Sequence, residues 1–161
     1  MRNRVKSLVV ILALLLSIAT PSFAALNEGD AKYAQTAGQL TQEFSDAIGT
    51  WGDTYQAAPN KFGSSEYKAW MKKAVAADNL VKAALVKFSK IKVSQGYKKS
   101  DVTLRKFIKA YTSAINLYAP AIKKNDEKMV KRANDAILKA TALFSTWSND
   151  FAKDSAKLTQ G

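Results

Sequence analysis

Apolar side chains return at steps of three and four residues through most of the chain beyond residue 27. From Asn27 onward they fall at Tyr33, Ala37, Leu40, Phe44, Ile48, Trp51 and Tyr55, the stripe one helix face presents to a core. Asn27 followed by Asp30 resembles a capping pair, and Ala58-Pro59-Asn60 supplies the stop. A second stripe, opened by a cap at Ser64 or Ser65, takes in Tyr67, Trp70, Ala74, Ala77, Val81, Ala84, Phe88 and Ile91. It frays by Ser94, with Gly96 as its terminal breaker.

The third stripe starts at Ser100 or Asp101 and uses Leu104, Phe107, Tyr111, Ile115, Tyr118 and Ile122. Pro120 has no amide hydrogen and clashes one turn back, so this helix either ends near Ala119 or kinks and runs to residue 123. Asn125 caps a fourth stripe of Val130, Ala133, Ile137, Ala140, Phe144, Trp147 and Phe151, with Asp126 and Glu127 placed to complement the helix dipole. The pattern therefore predicts helices over about 28–57, 65–93, 101–119 or 101–123, and 126–155. No segment alternates with period two for long enough to be a strand. Helices of this length with short connections bury their stripes only against one another. The expected fold is an all-α, up-down-up-down four-helix bundle forming a single domain over residues 25–161.

The residues before the first stripe have a different pattern. Arg2, Arg4 and Lys6 precede an apolar run from Ser7 to Thr20, and Pro21-Ser22-Phe23-Ala24 follows it. That order reads as a cleavable signal peptide over residues 1–24, cut after Ala24, because the run is short of the ~20 residues a helix needs to span a bilayer. The expected localisation is therefore exported, either periplasmic or secreted. No later stretch has spanning length.

Composition then restricts the chemistry. The 161 residues include no Cys and no His, which removes thiolate nucleophiles, disulfides, imidazole bases and the ordinary zinc and haem ligands. Phosphate-cradling glycine loops, dinucleotide fingerprints, nucleophile elbows and calcium loops are also absent. The carboxylate pairs Asp46/Asp53 and Asp150/Asp154 have helical spacing but lie off the stripes or at a helix end, so they read as solvated surface. Asp78, at the edge of the second stripe, is the one carboxylate whose burial would be informative. We expect a noncatalytic protein without a cofactor, with an unrecognised hydrolase as a lesser alternative.

Charge gives the strongest functional signal. The formal net charge is +12, of which three positive charges belong to residues 1–24. Residues 25–79 and 125–161 are close to neutral, whereas 80–124 carries eleven basic side chains against Asp101 alone. Lys87, Lys90, Lys92, Lys98, Lys99, Arg105, Lys106 and Lys109 lie off the stripes around the turn between the second and third helices. They are the candidate anion-binding group, spaced so that their potentials add over the ~8 Å Debye length of physiological salt. The α-amide groups at the start of the third helix could assist them, with Asp101 partly neutralising the site.

The expected partner is an anionic envelope polymer, a lipid headgroup surface or an acidic protein. Beyond residue 24 there are 20 Lys and only two Arg, which disfavours sequence-specific reading of nucleic acid. A cationic toxin-like role is a variant of the same reading.

A separate possibility lies in the rings. Trp51, Tyr55, Tyr67, Trp70 and Tyr118 should meet at one end of the bundle, where they either line a small-ligand pocket or fill a tapering core.

Overall fold

The computed structural model of the chain describes residues 26–160, so the proposed export segment lies outside the described residues. Four helices account for most of the described chain: α1 (Glu28–Gln56), α2 (Ser65–Ser89), α3 (Lys98–Lys123) and α4 (Glu127–Gln160), with a 3-10 turn at Gln95–Tyr97 leading into α3. They form an all-α four-helix bundle in which sequence-adjacent helices pack together. Contacts fix the directions. Trp51 of α1 meets Asp78 of α2, Arg105 of α3 reaches Ser89 at the end of α2, and Thr103 of α3 meets Asp150 of α4, so successive helices run antiparallel.

The apolar stripes are the buried faces. Phe44 sits at their meeting point, with ring centroids 5.3 Å from Phe107, 5.1 Å from Tyr111 and 6.0 Å from Phe144. Edge-on and offset packing of this kind fills the bundle centre with large rigid groups. Val81, Phe88, Leu104, Ile115, Ile137 and Trp147 complete the core with almost no exposure.

Helix ends depart from local sequence signals where distant residues intervene. Two caps are local: the Asn27 side chain accepts the Asp30 N–H and Ser64 accepts the Tyr67 N–H. At the fourth helix, however, Asp126 rather than Asn125 accepts the Met129 N–H, and Asn125 instead turns the chain with φ of 50°. Asparagine tolerates that left-handed conformation better than most residues. The second helix stops at Ser89 instead of continuing to 93, because Arg105 takes the carbonyls of Ser89 and Ile91. The third starts at Lys98, ahead of Ser100 and Asp101, because the buried carboxylate of Asp154 accepts the Ser100 N–H from across the bundle.

The third helix also passes through Pro120 to Lys123. Pro120 and Asn116 are both exposed, so the carbonyl left without its amide partner faces water. The fourth helix runs on to Gln160, since Asp154 and Ser155 are buried against the 3-10 turn and Leu158 covers Gly96. Gly96 is thus a packing residue within that turn and not the terminator of the second helix. A Cβ there would lie 2.5 Å from Leu158 Cδ1 and 2.8 Å from both Asp30 carboxylate oxygens.

Candidate functional site

The α2–α3 turn presents Lys87, Lys90, Lys92, Lys98, Lys99, Lys106 and Lys109 as exposed side chains. Lys87 is engaged with Glu43 of α1 at 2.5 Å. The other six have no carboxylate partner among the described residues. Arg105 differs from all of them. Its guanidinium donates to both oxygens of Asp101, at 2.9 and 3.0 Å, and to the carbonyls of Ser89 at 2.7 Å and Ile91 at 2.8 Å. The expectation that Arg105 faces outward as an anion ligand is therefore corrected. It lies away from its own apolar stripe but reaches sideways to close the end of the neighbouring helix.

Two further details of the sequence reading change. Asp101 is bound by Arg105 and by the Tyr33 hydroxyl, so it does not pair with the outer lysines. The α3 amide start is not open to an outside anion at Ser100, whose N–H is held by Asp154 at 3.0 Å. Lys123 and Lys124, counted in the same basic interval, stand at the opposite end of α3, about 37 Å along the helix axis from Lys98.

Periodicity did not single out the apolar residues among these lysines. Val86, Val93 and Val102 are 50%, 42% and 57% exposed. Val86 lies between Lys82 and Lys90 at steps of four, and Val102 lies between Lys98 and Lys106 at the same steps. That spacing was the available signal.

At the other end the five aromatic residues do come together. Trp51 lies 4.6 Å from Tyr55 and 4.8 Å from Tyr118 between ring centroids, and Tyr67 lies 5.3 Å from Trp70. Trp51 and Tyr118 belong to the closed core, whereas Tyr55, Tyr67 and Trp70, with Phe62, Ile122 and Val130, line a cavity of about 240 Å³. The polar atoms of those rings are already used: Tyr67 donates to the Ile122 carbonyl, Trp70 to the Thr54 carbonyl and Tyr55 to Asp78. The cavity therefore offers ring faces and aliphatic carbons, with Asn60 and Asn125 as the polar residues of its lining. Phe62, which is 49% exposed, stands over Tyr67 at its rim.

Asp78 is buried just behind this cavity wall. Its Oδ1 accepts from Trp51 Nε1 at 2.8 Å and from the Tyr55 hydroxyl at 3.1 Å, while its Oδ2 has no partner. Burial pushes its carboxyl above the usual range, against the opposing pull of those two donors and of Lys82. Burial and the neighbouring Asp78 likewise hold the Tyr55 phenol protonated far above its ordinary range. Asp78 satisfies two core donors.

Of the carboxylate pairs, Asp46 and Asp53 are exposed. Asp150 and Asp154 are not a solvated pair, since Asp150 accepts from Thr103 and Asp154 is buried on Ser100. Among the described residues no group of acidic side chains could hold a metal ion, and no helix is long and apolar enough to cross a membrane. Comparison of the chain with protein-family models, with curated proteins and with solved structures gives no match.

Proposed function

We propose that this chain is an exported, noncatalytic binding module of the cell envelope or secreted fraction that docks on an anionic partner through the α2–α3 tip. The observation that carries the reading is the set of six exposed lysines, Lys90, Lys92, Lys98, Lys99, Lys106 and Lys109, that have no carboxylate partner among the described residues. A lysine kept only for solubility needs no particular neighbours. Six of them around one turn, with Asp101 at the start of α3 held by Arg105, make a concentrated positive surface. Lysine supplies mobile point charges suited to a polyanion whose groups are not in fixed register.

The test is retention of residues 25–161 on an anionic matrix across a salt series. Reversing Lys90, Lys98, Lys99 and Lys106 to Glu is expected to abolish retention at low salt with helical circular dichroism unchanged. Unaltered retention would defeat the proposal.

The cavity beside Tyr55, Tyr67 and Trp70 supports a second reading, a small apolar or ring-shaped ligand held at the far end. Such a ligand should change Trp fluorescence and raise the melting temperature. A broad metabolite screen that moves neither signal removes that reading.

A further inference from the structure

We propose that the anionic partner is a lipid surface, on which the tip rests with its lysines at the headgroups and Val86, Val93 and Val102 in the interfacial layer. This rests on the docking role proposed above and names its partner. The inference comes from what lies between the charges. On α2, Lys82, Val86 and Lys90 follow at steps of four, and on α3 the order repeats as Lys98, Val102 and Lys106. Steps of four keep each trio on one side of its helix. Val93 continues the apolar series through the connecting segment, next to Lys92.

On α3 the stripe leans away from α4, because Val102 is one residue before Thr103, which meets Asp150 of α4, and on α2 it leans away from α1. Lys87 leans to α1, where it meets Glu43. Val86 is one residue earlier, about 100° back around the helix, and so leans away from α1 toward α3. Arg105 bridges from α3 to the carbonyls that end α2, fixing the two helix termini side by side.

The chemistry separates a bilayer from the other anionic partners. A soluble polyanion is attracted by ammonium groups and gains nothing from valines at 42–57% exposure. A headgroup layer offers both halves: anionic phosphates for the lysines and acyl carbon within reach for short apolar side chains. An acidic protein would offer the first and would need a matched apolar patch for the second. The described helices hold their apolar stripes inside the bundle and none can span a bilayer, so the contact is peripheral.

Because the chain contains no cysteine, Val102→Cys creates a single attachment point for an environment-sensitive fluorophore. The experiment uses residues 25–161, since the apolar run before residue 21 would enter lipid by itself. The probes are vesicles of phosphatidylcholine mixed with phosphatidylglycerol, vesicles of phosphatidylcholine alone, and dextran sulfate. The label is expected to shift to the blue and brighten with the mixed vesicles only.

The triple change Val86→Ser, Val93→Ser and Val102→Ser keeps every charge. It is expected to weaken binding to the mixed vesicles by about tenfold or more, in line with the loss of three apolar contacts of valine size, and to leave retention on an anionic matrix unchanged. A label that stays water-like while the protein sediments with the vesicles overturns the lipid proposal, as does a triple variant that binds them as well as the parent. Either result leaves docking on a polymer or acidic protein standing. If the lysine reversals leave matrix retention intact, the docking reading itself falls, so the two failures are distinguishable.

Discussion

Replacing Arg105 with Ala tests whether this residue belongs to the fold or to the docking surface. In the folded chain its guanidinium makes two hydrogen bonds to Asp101 and takes the carbonyls of Ser89 and Ile91, with that of Phe88 at 3.4 Å. Truncation leaves Asp101, which is only 9% exposed, with the Tyr33 hydroxyl at 3.3 Å as its remaining partner. Hydrogen bonds to charged groups contribute about 1.5–3 kcal/mol each. The Arg105 side chain is 36% exposed and the freed carbonyls near it can take water, so the bonds are not additive at full value.

A loss of about 2–4 kcal/mol is the reasonable sum, or a fall of about 10 °C in melting temperature for a bundle of this size. Ala at Lys98 or Lys106, both exposed and unpaired, should stay within about 0.5 kcal/mol of the parent. Lysine at 105 should recover only part of the loss, because a point charge cannot bridge a carboxylate and two carbonyls at once. Melts followed by far-ultraviolet circular dichroism decide the matter. If Arg105→Ala melts with the parent, or if the two lysine variants fall as far, the assignment of Arg105 to the fold is wrong.

Two buried carboxylates should impose opposite pH dependences. Burial raises the Asp78 pKa above 3.8, so the folded state holds that proton more tightly than the unfolded one, and stability declines as pH climbs from about 3.8 through the raised folded value. Asp78→Asn should remove that decline in urea unfolding measured across pH. Asp78→Ala should instead cost about 2–5 kcal/mol by leaving the Trp51 and Tyr55 donors without an acceptor; parallel pH profiles for parent and Asn variant would contradict the assignment.

Asp30 runs the other way. Burial raises its pKa, but the polar groups of Ser94, Gly96 and Asn27 outweigh that and hold it below 3.8. Its contribution is present above pH 3.8 and lost as pH falls through the lowered value, so Asp30→Asn should be less stable than the parent at neutral pH and converge with it in acid. Gly96→Ala should lose about 1–3 kcal/mol, because the Asp30 carboxylate it meets at 2.8 Å is anchored by Asn27. Gly49→Ala, with nothing within 4 Å of the new Cβ and a helix-interior backbone, should gain up to about 1 kcal/mol, and denaturant midpoints of the two variants provide the comparison.

The helices were legible because three- and four-residue spacing is itself a burial signal, and the residues on the stripes from Tyr33 to Phe151 are buried in the core, except Tyr67, which is half-buried against it. Their ends were legible only where the capping group is local, as at Asn27 and Ser64. The start of α3 depends on Asp154, 54 residues further along, and no window of neighbouring sequence contains that information. The lysines of the tip could be placed outside by their angle from the stripe. Arg105 passes the same angular test, but a side chain of its length reaches past its own helix, and one-helix geometry says nothing of the helix beside it. Val86, Val93 and Val102 are out of phase with the stripes, and a periodicity that marks burial is silent about exposed apolar residues.

The contacts that hold the tip together also govern what it shows to a partner. Asp30 accepts the Gly96 amide, Asp154 accepts the Ser100 amide, and Asp101 is clasped by Arg105, so three carboxylates at this end of the bundle are buried in structural bonds. Tyr97, fully buried between them, stacks on Tyr33 and Phe151 and shares a hydrogen bond with Ser155. Each carboxylate so used is unable to form a contact pair with a lysine outside. Their engagement therefore leaves the ammonium groups of Lys90, Lys92, Lys98, Lys99, Lys106 and Lys109 available, on a turn whose backbone is fixed from three helices. A partner meeting such a surface need not pay for ordering that turn, and only the lysine side chains lose freedom on contact. It follows that Asp30→Asn, which removes a negative charge but also removes a carboxylate anchor from the 3-10 turn, should not strengthen docking in proportion to the change in net charge. A loosened tip would offset the gain.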